Sequence, residues 1–290
     1  MIEFCGLTLR HRVINASGCF DALAGARVFG DRLFDEFPFA AYVSKTITLA
    51  PRDGNPPPRL WESAAGLINS IGLPNRGLGA YLEDDLPALA RLTVPLITNV
   101  MGSTPAEVGE LVAALEDRPQ VRAIELNVSC PNVATGLDIG ADPQGLEALL
   151  EHVRPLSSKP LIVKLTPNTA DVAECAAGAE AGGADAVSLI NTLRAVALSP
   201  GGAAPWLGGG SGGLSGPAIR AIALAQVSAV ARRVAIPIVG MGGVGCGRDA
   251  RELIDVGATL VAVGTECFRD PAAGVRIERE LEAAFAQYAG

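Results

Sequence analysis

The residues best suited to chemistry stand in one stretch, Ala123-Ile124-Glu125-Leu126-Asn127-Val128-Ser129-Cys130-Pro131-Asn132. Ala123, Ile124, Leu126 and Val128 read as a buried strand, and Pro131, which has no N–H to give a ladder, ends it. Asn127, Ser129, Cys130 and Asn132 follow at the strand's end. A carboxamide offers both donors and an acceptor, so two of them flanking a thiol suit a planar polar ligand. The thiol, with an ordinary pKa of about 8.5, serves as base or nucleophile once a site shifts it. A lone cysteine is more often a small buried side chain. The flanking Asn127 and Asn132 and the strand-end position weigh towards chemistry.

The chain has only two histidines, His11 and His152, so acid–base work falls to Cys, Lys, Ser or a carboxylate. The six cysteines, at 5, 19, 130, 175, 246 and 267, are scattered without a C-x-x-C pair. That spacing supports neither a zinc site nor a disulfide framework, and a reducing cytoplasm is the expected setting. A net charge of −8 argues against nucleic acid and anionic membranes as partners. No charged-then-apolar leader precedes the first strand, so no signal peptide or membrane anchor is expected. The apolar stretch 218–240 is broken by Gln226, Arg232, Arg233 and Pro237 and reads as a helix followed by a strand.

Elements that must position these residues recur along the chain. Apolar strand candidates lie at 12–17, 41–45, 95–100, 122–128, 161–165, 185–190, 236–240 and 259–263. Helix-like segments stand between them near 78–91, 105–116, 143–154, 170–181, 217–232 and 247–256, with 271–286 closing the chain. Strands alternating with helices make a parallel sheet, and eight strands close a barrel. The expected fold is therefore α/β, a single (β/α)8 barrel over residues 1–290 with no second domain. Runs such as Leu161-Ile162-Val163 are apolar at every position, as strands buried on both faces require. Two connections, roughly 46–77 and 191–216, are long enough to be lids or binding loops.

Polar residues gather at the predicted strand ends: Ser44-Lys45-Thr46, Thr98-Asn99, Asn127 to Asn132, Lys164, and Asn191-Thr192. Barrel active sites are built at that end. Taken singly, each residue is an ordinary turn or cap residue. The two lysines would hold an anionic or electron-rich ligand. Gly240-Met241-Gly242-Gly243-Val244-Gly245 follows strand seven, and Val263-Gly264-Thr265 follows strand eight. Glycine-exposed N–H groups at a helix N-terminus bind phosphate, and in a barrel the phosphate sits at loops seven and eight. The segment 240–245 also matches G-x-G-x-x-G, but that fingerprint belongs to a first βα unit, so a mononucleotide such as FMN fits better. The run Gly208 to Gly216 reads as a flexible tether or further ligand backbone.

Together these motifs resemble the class 1 dihydroorotate dehydrogenases, from near residue 12 to the final helix. The resemblance is carried by Ala16-Ser17-Gly18, Ser44-Lys45-Thr46, Gly54-Asn55-Pro56-Pro57-Pro58-Arg59, Asn69-Ser70-Ile71-Gly72-Leu73, the Asn127–Asn132 loop, Val163-Lys164-Leu165, Ile190-Asn191-Thr192-Leu193, Gly213 to Ala218, Gly240 to Gly243 and Val263-Gly264-Thr265. It implies oxidation of dihydroorotate to orotate in pyrimidine biosynthesis, with Cys130 as the base at C5 and the C6 hydride passing to FMN. It implies a substrate set of Lys45, Asn69, Ser70, Ile71, Gly72, Leu73, Asn127, Asn132, Asn191 and Thr192. FMN would meet Ser17, Lys45, Thr46, Asn99, Asn127, Lys164, Ile190, Gly216, Gly242, Gly243, Gly264 and Thr265, with Lys164 near the ring's N1–C2=O edge.

Gly140-Ala141-Asp142-Pro143 and Gly213 to Ala218 are most similar to the class 1B catalytic subunits. That branch implies a homodimer joined by an FAD/iron–sulfur subunit that passes electrons to NAD, giving a heterotetramer. Cys19-Phe20-Asp21-Ala22 and Leu193-Arg194-Ala195-Val196-Ala197 depart from the usual pattern. The alternatives are a fumarate-reducing class 1A homodimer, a barrel flavoprotein like dihydropyrimidine dehydrogenase or dihydrouridine synthase, and a non-enzymatic phosphate-binding barrel.

Overall fold

The computed structural model describes residues 1–128 and 138–287. Its central sheet holds β1 (Val13–Asn15), β2 (Tyr42–Val43), β3 (Leu96–Val100), β4 (Val121–Asn127), β5 (Leu161–Lys164), β6 (Ala186–Leu189), β7 (Ile238–Met241) and β8 (Leu260–Val263). Each falls at one of the expected positions. Parallel ladders join β2 to β3 and so on to β8, and β8 returns to β1. The sheet is the (β/α)8 barrel that the alternation of elements requires.

The last seam, between β1 and β2, is closed largely by a side chain. Asn15 Nδ2 donates to Val43 O at 2.8 Å and Asn15 Oδ1 accepts from Val43 N at 2.9 Å, so the carboxamide imitates a ladder pair. One backbone bond, Ala40 N to Val13 O at 2.9 Å, holds the other end.

Alternation along each strand separates two buried layers. Ile14, Val43, Ile97, Ala123, Ile162, Ala186, Val239 and Leu260 pack together inside the barrel. Their neighbours Val13, Tyr42, Leu96, Ile124, Leu161, Val187, Ile238 and Val261 pack outward against the helices. The hairpin Ile2–Phe4 and Leu7–Leu9 closes the floor, with Phe4, Leu7 and Leu9 joining the inner cluster. Two residues further along the inward faces come Asn99, Glu125, Lys164 and Ser188, all buried. An apolar floor thus carries a polar tier at the C-terminal end.

Side-chain caps start several helices where expected. Thr104 Oγ1 accepts from Glu107 N before Pro105–Glu116, Asp142 caps Pro143–Val153, and Asp171 caps Val172–Ala181. The expected helix over 78–91 is divided into Gly77–Ala80, a π turn at Tyr81–Asp85 and Leu86–Leu89. A further helix, Ala22–Phe29, begins on an Asp21 cap that sequence reading passed over. Among the described residues no helix is long and apolar enough to cross a membrane.

The two long connections are not independent loops. Leu60–Ser63 and Gly66–Asn69 from the first pair with Gly212–Ser215 and Leu193–Ala195 from the second in one four-stranded antiparallel sheet. The glycine run, read as a flexible tether or further ligand backbone, is therefore partly a central strand over Gly212–Ser215. Close approach demands glycine on both paired strands: a Cβ on Gly213 would lie 1.9 Å from the side-chain Oγ1 of Thr192, and one on Gly66 would lie 1.9 Å from the backbone oxygen of Ser215.

If the carboxamide of Asn15 closes the barrel, Asn15→Ala strands the N–H and C=O of Val43. We expect the unfolding free energy from urea denaturation to fall by at least about 2 kcal/mol, the penalty of unpaired buried backbone groups. A change within about 0.5 kcal/mol, no larger than a neutral surface substitution, would mean the seam is held otherwise.

Candidate functional site

The polar tier is tied together by one buried carboxylate. Glu125, 4% exposed, accepts from Asn99 Nδ2 through Oε2 and from Ser188 Oγ at 2.7 Å through Oε1. Because a carboxylate oxygen only accepts, Asn99 must turn its NH2 towards Glu125. Asn99 Oδ1 is left buried without a donor among the described residues. Asn99 N donates to Ser44 Oγ at 3.1 Å, so the residue is held at both ends.

Around this centre the strand-end residues of the sequence reading come together. Asn127 Nδ2 donates to Thr46 Oγ1 at 3.3 Å, linking β4 to the loop after β2. Ser17 Oγ donates to Ser44 O at 2.8 Å, continuing the β1–β2 seam into the mouth. Lys164 stands at the end of β5 opposite Asn127 in register, 6% exposed and with no ion-pair partner among the described residues. Burial pushes the Cys19 thiol up, and the charge of Lys164 pulls it down, so the two are near each other. Burial holds the Lys45 ammonium below the usual lysine range, while Asp21 raises it and Arg59 lowers it further.

The antiparallel sheet brings Asn69 and Thr192 over the mouth. Asn69 Nδ2 donates to Gly213 O at 3.2 Å, and Thr192 packs under Gly213. Ser70, fully buried, accepts from Asn55 Nδ2 at 2.9 Å. Ile71 O accepts from Asn55 N at 3.0 Å, and Gly72 has room for no Cβ because Asn55 N would lie 2.4 Å away. The motifs 54–59 and 69–73 thus form one folded unit, in which Leu73 takes a positive φ of 56°. Asn191 Oδ1 accepts from Thr192 N at 2.8 Å.

Ile190 N donates to Met241 O at 2.9 Å, and the Ile190 side chain lies against Gly242, where a Cβ would come within 3.2 Å of Ile190 Cγ1. Gly216, Gly242 and Gly243 have positive φ angles of 92°, 127° and 75°. Thr265 Oγ1 donates to Ser215 Oγ at 2.8 Å, joining the loop after β8 to the antiparallel sheet. The helix Gly247–Asp255, expected to aim its N-terminus at a phosphate, is already capped by protein. Asp249 Oδ2 accepts from Gly245 N and Cys246 N, and Glu280 Oε2 accepts from Gly247 N.

Cys130 and Asn132 lie outside the described residues. Among the described residues no group of His, Cys, Asp and Glu is placed to hold a metal ion. Glu125, Asn15 and Asp249 were not singled out in the sequence. Glu125 had a visible signal, since Ala123, Glu125 and Asn127 alternate on one face of the strand.

A closed barrel with a buried polar tier and glycine loops at its C-terminal mouth is the architecture of a (β/α)8-barrel enzyme. Comparison with known proteins makes this specific: a family model described as dihydroorotate dehydrogenase matches residues 1–285, and the chain belongs to that family of oxidoreductases. It is 44% identical over 282 residues to "Dihydroorotate dehydrogenase B (NAD(+)), catalytic subunit" of Geobacter sp. (strain M21), covering 97% of this chain and 91% of the relative. It is 43% identical over 288 residues to the protein of the same name in Bacillus pumilus, covering 99% and 92%. A Solibacter usitatus protein named "Putative dihydroorotate dehydrogenase A (fumarate)" is 43% identical over 278 residues, covering 96% and 90%.

Proposed function

We propose that this chain is the catalytic subunit of an NAD-linked dihydroorotate dehydrogenase, oxidising dihydroorotate to orotate with FMN as its resident cofactor. The observation that carries the reading is the tier of Asn99, Glu125, Asn127 and Lys164 at the mouth of a barrel that the dihydroorotate dehydrogenase model matches almost end to end.

The residues fit FMN on two counts. Gly242 and Gly243 take positive φ angles next to the loop of Gly264 and Thr265, and the N–H groups of all four have no acceptor among the described residues, as a phosphate-binding backbone requires. Asn99 Oδ1 is an orphaned acceptor in the tier, which calls for an N–H or O–H such as a flavin carries. When bound, FMN supplies the acceptor for the hydride leaving C6 of the substrate.

In this reading Cys130 takes the proton from C5. Lys164 contributes the positive charge that favours an electron-rich ring edge beside it. Lys45, with Asn69, Asn127, Asn132 and Asn191, orients a ring bearing two carbonyls, two N–H groups and a carboxylate, for which carboxamides and one cation are the matching partners. Ser70 to Leu73 and Thr192 complete the walls. The antiparallel sheet covers the mouth and keeps water from the reacting carbons. The protein works as one barrel domain in the cytoplasm, as a homodimer carrying an FAD/iron–sulfur subunit.

The NAD assignment draws on the names of the Geobacter sp. and Bacillus pumilus relatives, and the fumarate-type relative supplies the competing acceptor. Steady-state assays do. The isolated chain is expected to turn over slowly with NAD or fumarate and rapidly with artificial acceptors, and to gain NAD reduction when an FAD/iron–sulfur subunit is added. Rapid turnover with fumarate alone would move it to the fumarate class. Cys130→Ala is expected to keep its flavin and to slow flavin reduction by dihydroorotate by about 10²–10⁴-fold, the usual contribution of a general base. A near wild-type rate in stopped flow would exclude Cys130 as the base.

A further inference from the structure

The segment Gly240-Met241-Gly242-Gly243-Val244-Gly245 has the spacing that binds the pyrophosphate of a dinucleotide, yet this barrel is read above as a mononucleotide site. The structure offers a reason within the segment itself. Gly242, Gly243, Gly264 and Thr265 have backbone N–H groups without an acceptor among the described residues. At Gly245 the pattern changes. Gly245 N donates to Asp249 Oδ2 at 3.0 Å, Cys246 N to the same oxygen at 3.2 Å, and Gly247 N to Glu280 Oε2 at 2.7 Å. Gly245 O accepts from Arg276 Nη1 at 3.0 Å. A Cβ on Gly245 would face Asp249 Oδ2 at 3.5 Å and Glu266 Oε2 at 4.0 Å. The third glycine of the fingerprint therefore has both backbone groups engaged and stands between two carboxylates.

Asp249 is itself fixed. It is buried at 6% exposure, and its Oδ1 is paired with Arg220, whose Nε also lies 3.7 Å from Glu252. The backbone of Arg220 abuts Gly243, where a Cβ would meet its Cα at 3.0 Å. One carboxylate thus ties the helix before β7 to the loop after it, pairs with Arg220, and withdraws two N–H donors.

We propose that Asp249 is the positioning residue that limits this cradle to a single phosphate. It leaves four backbone donors for one phosphate monoester, and where a dinucleotide would place its second phosphate it presents carboxylate oxygens in place of donors. The inference rests on the FMN reading above and explains why a dinucleotide fingerprint serves a mononucleotide here.

The test uses apoprotein and three flavins, riboflavin, FMN and FAD, with affinities from fluorescence quenching. The wild type is expected to prefer FMN to FAD by about a hundredfold or more, since an unpaired charged oxygen facing a carboxylate costs a few kcal/mol and each 1.4 kcal/mol is tenfold. Asp249→Asn, nearly isosteric and uncharged, should reduce that preference by about tenfold or more while riboflavin affinity stays within about twofold. Loss of all three affinities together, or an unchanged FMN-to-FAD ratio, would overturn the proposal in favour of bulk alone excluding FAD. A measurement on the wild type needs no variant: inorganic pyrophosphate should displace FMN no better than inorganic phosphate, despite its greater charge. Pyrophosphate competing tenfold better would also overturn it. A wild-type protein that binds none of the flavins is a different result, and it would remove the cofactor reading rather than the role of Asp249.

Discussion

A carboxylate buried inside a barrel persists only if its oxygens are given donors, and Glu125 is given two. The organisation of the mouth follows from that requirement. Asn99 on β3 and Ser188 on β6 must turn their donors inward, which ties strands on either side of β4. Asn99 is thereby turned so that its acceptor is spare. In a closed sheet the period of two does the rest, since inward positions above an apolar Ile97, Ala123, Ile162 and Ala186 fall at Asn99, Glu125, Lys164 and Ser188. Floor and tier are successive turns of one alternation. Lys164, the cation of the tier, lacks an ion-pair partner among the described residues, so the tier favours a ligand that brings electron density.

The antiparallel sheet above the mouth obeys a different constraint. Its strands come from distant segments, Asn69 and Gly213 being paired across 144 residues, and it packs on a satellite cluster of Ile68, Ala197 and Leu207, apart from the main core. Its contacts are made by close approach, with Gly66 against the backbone of Ser215 and Gly213 against the side chain of Thr192. A sheet held this way fixes the Asn69–Leu73 motif and Thr192 in one frame. Thr265 reaches it through Ser215, so the loop after β8 and the cover share one hydrogen-bond path.

The barrel was legible because strands buried on both faces are apolar at every position, and Leu161 to Val163 or Leu260 to Val263 leave no other reading. The strand-end polar residues were legible for the complementary reason that a polar residue closing such a run must face the mouth or a turn. The antiparallel sheet was not, because Gly212 and Gly213 are poor strand formers and only their distant partner reveals why glycine is needed. Asn15 fell inside the expected strand 12–17, and its service as a surrogate ladder bond depends on Val43 across the seam. Glu125 was passed over because it was read as part of an apolar run instead of by the face it occupies. The helix after β7 was expected to greet a phosphate, and Asp249 four residues downstream of Gly245 is the residue that changes that reading.

The central claim is that this barrel oxidises dihydroorotate on a flavin of its own, and its most direct measurement is an anaerobic titration of the purified holoprotein followed by absorbance. The account predicts flavin bands near ~370 and ~450 nm, where the chromophore is the cofactor's own, and bleaching of the ~450 nm band as dihydroorotate is added, with orotate formed mole for mole. A protein that carries the flavin but keeps its full ~450 nm absorbance in excess dihydroorotate would contradict it.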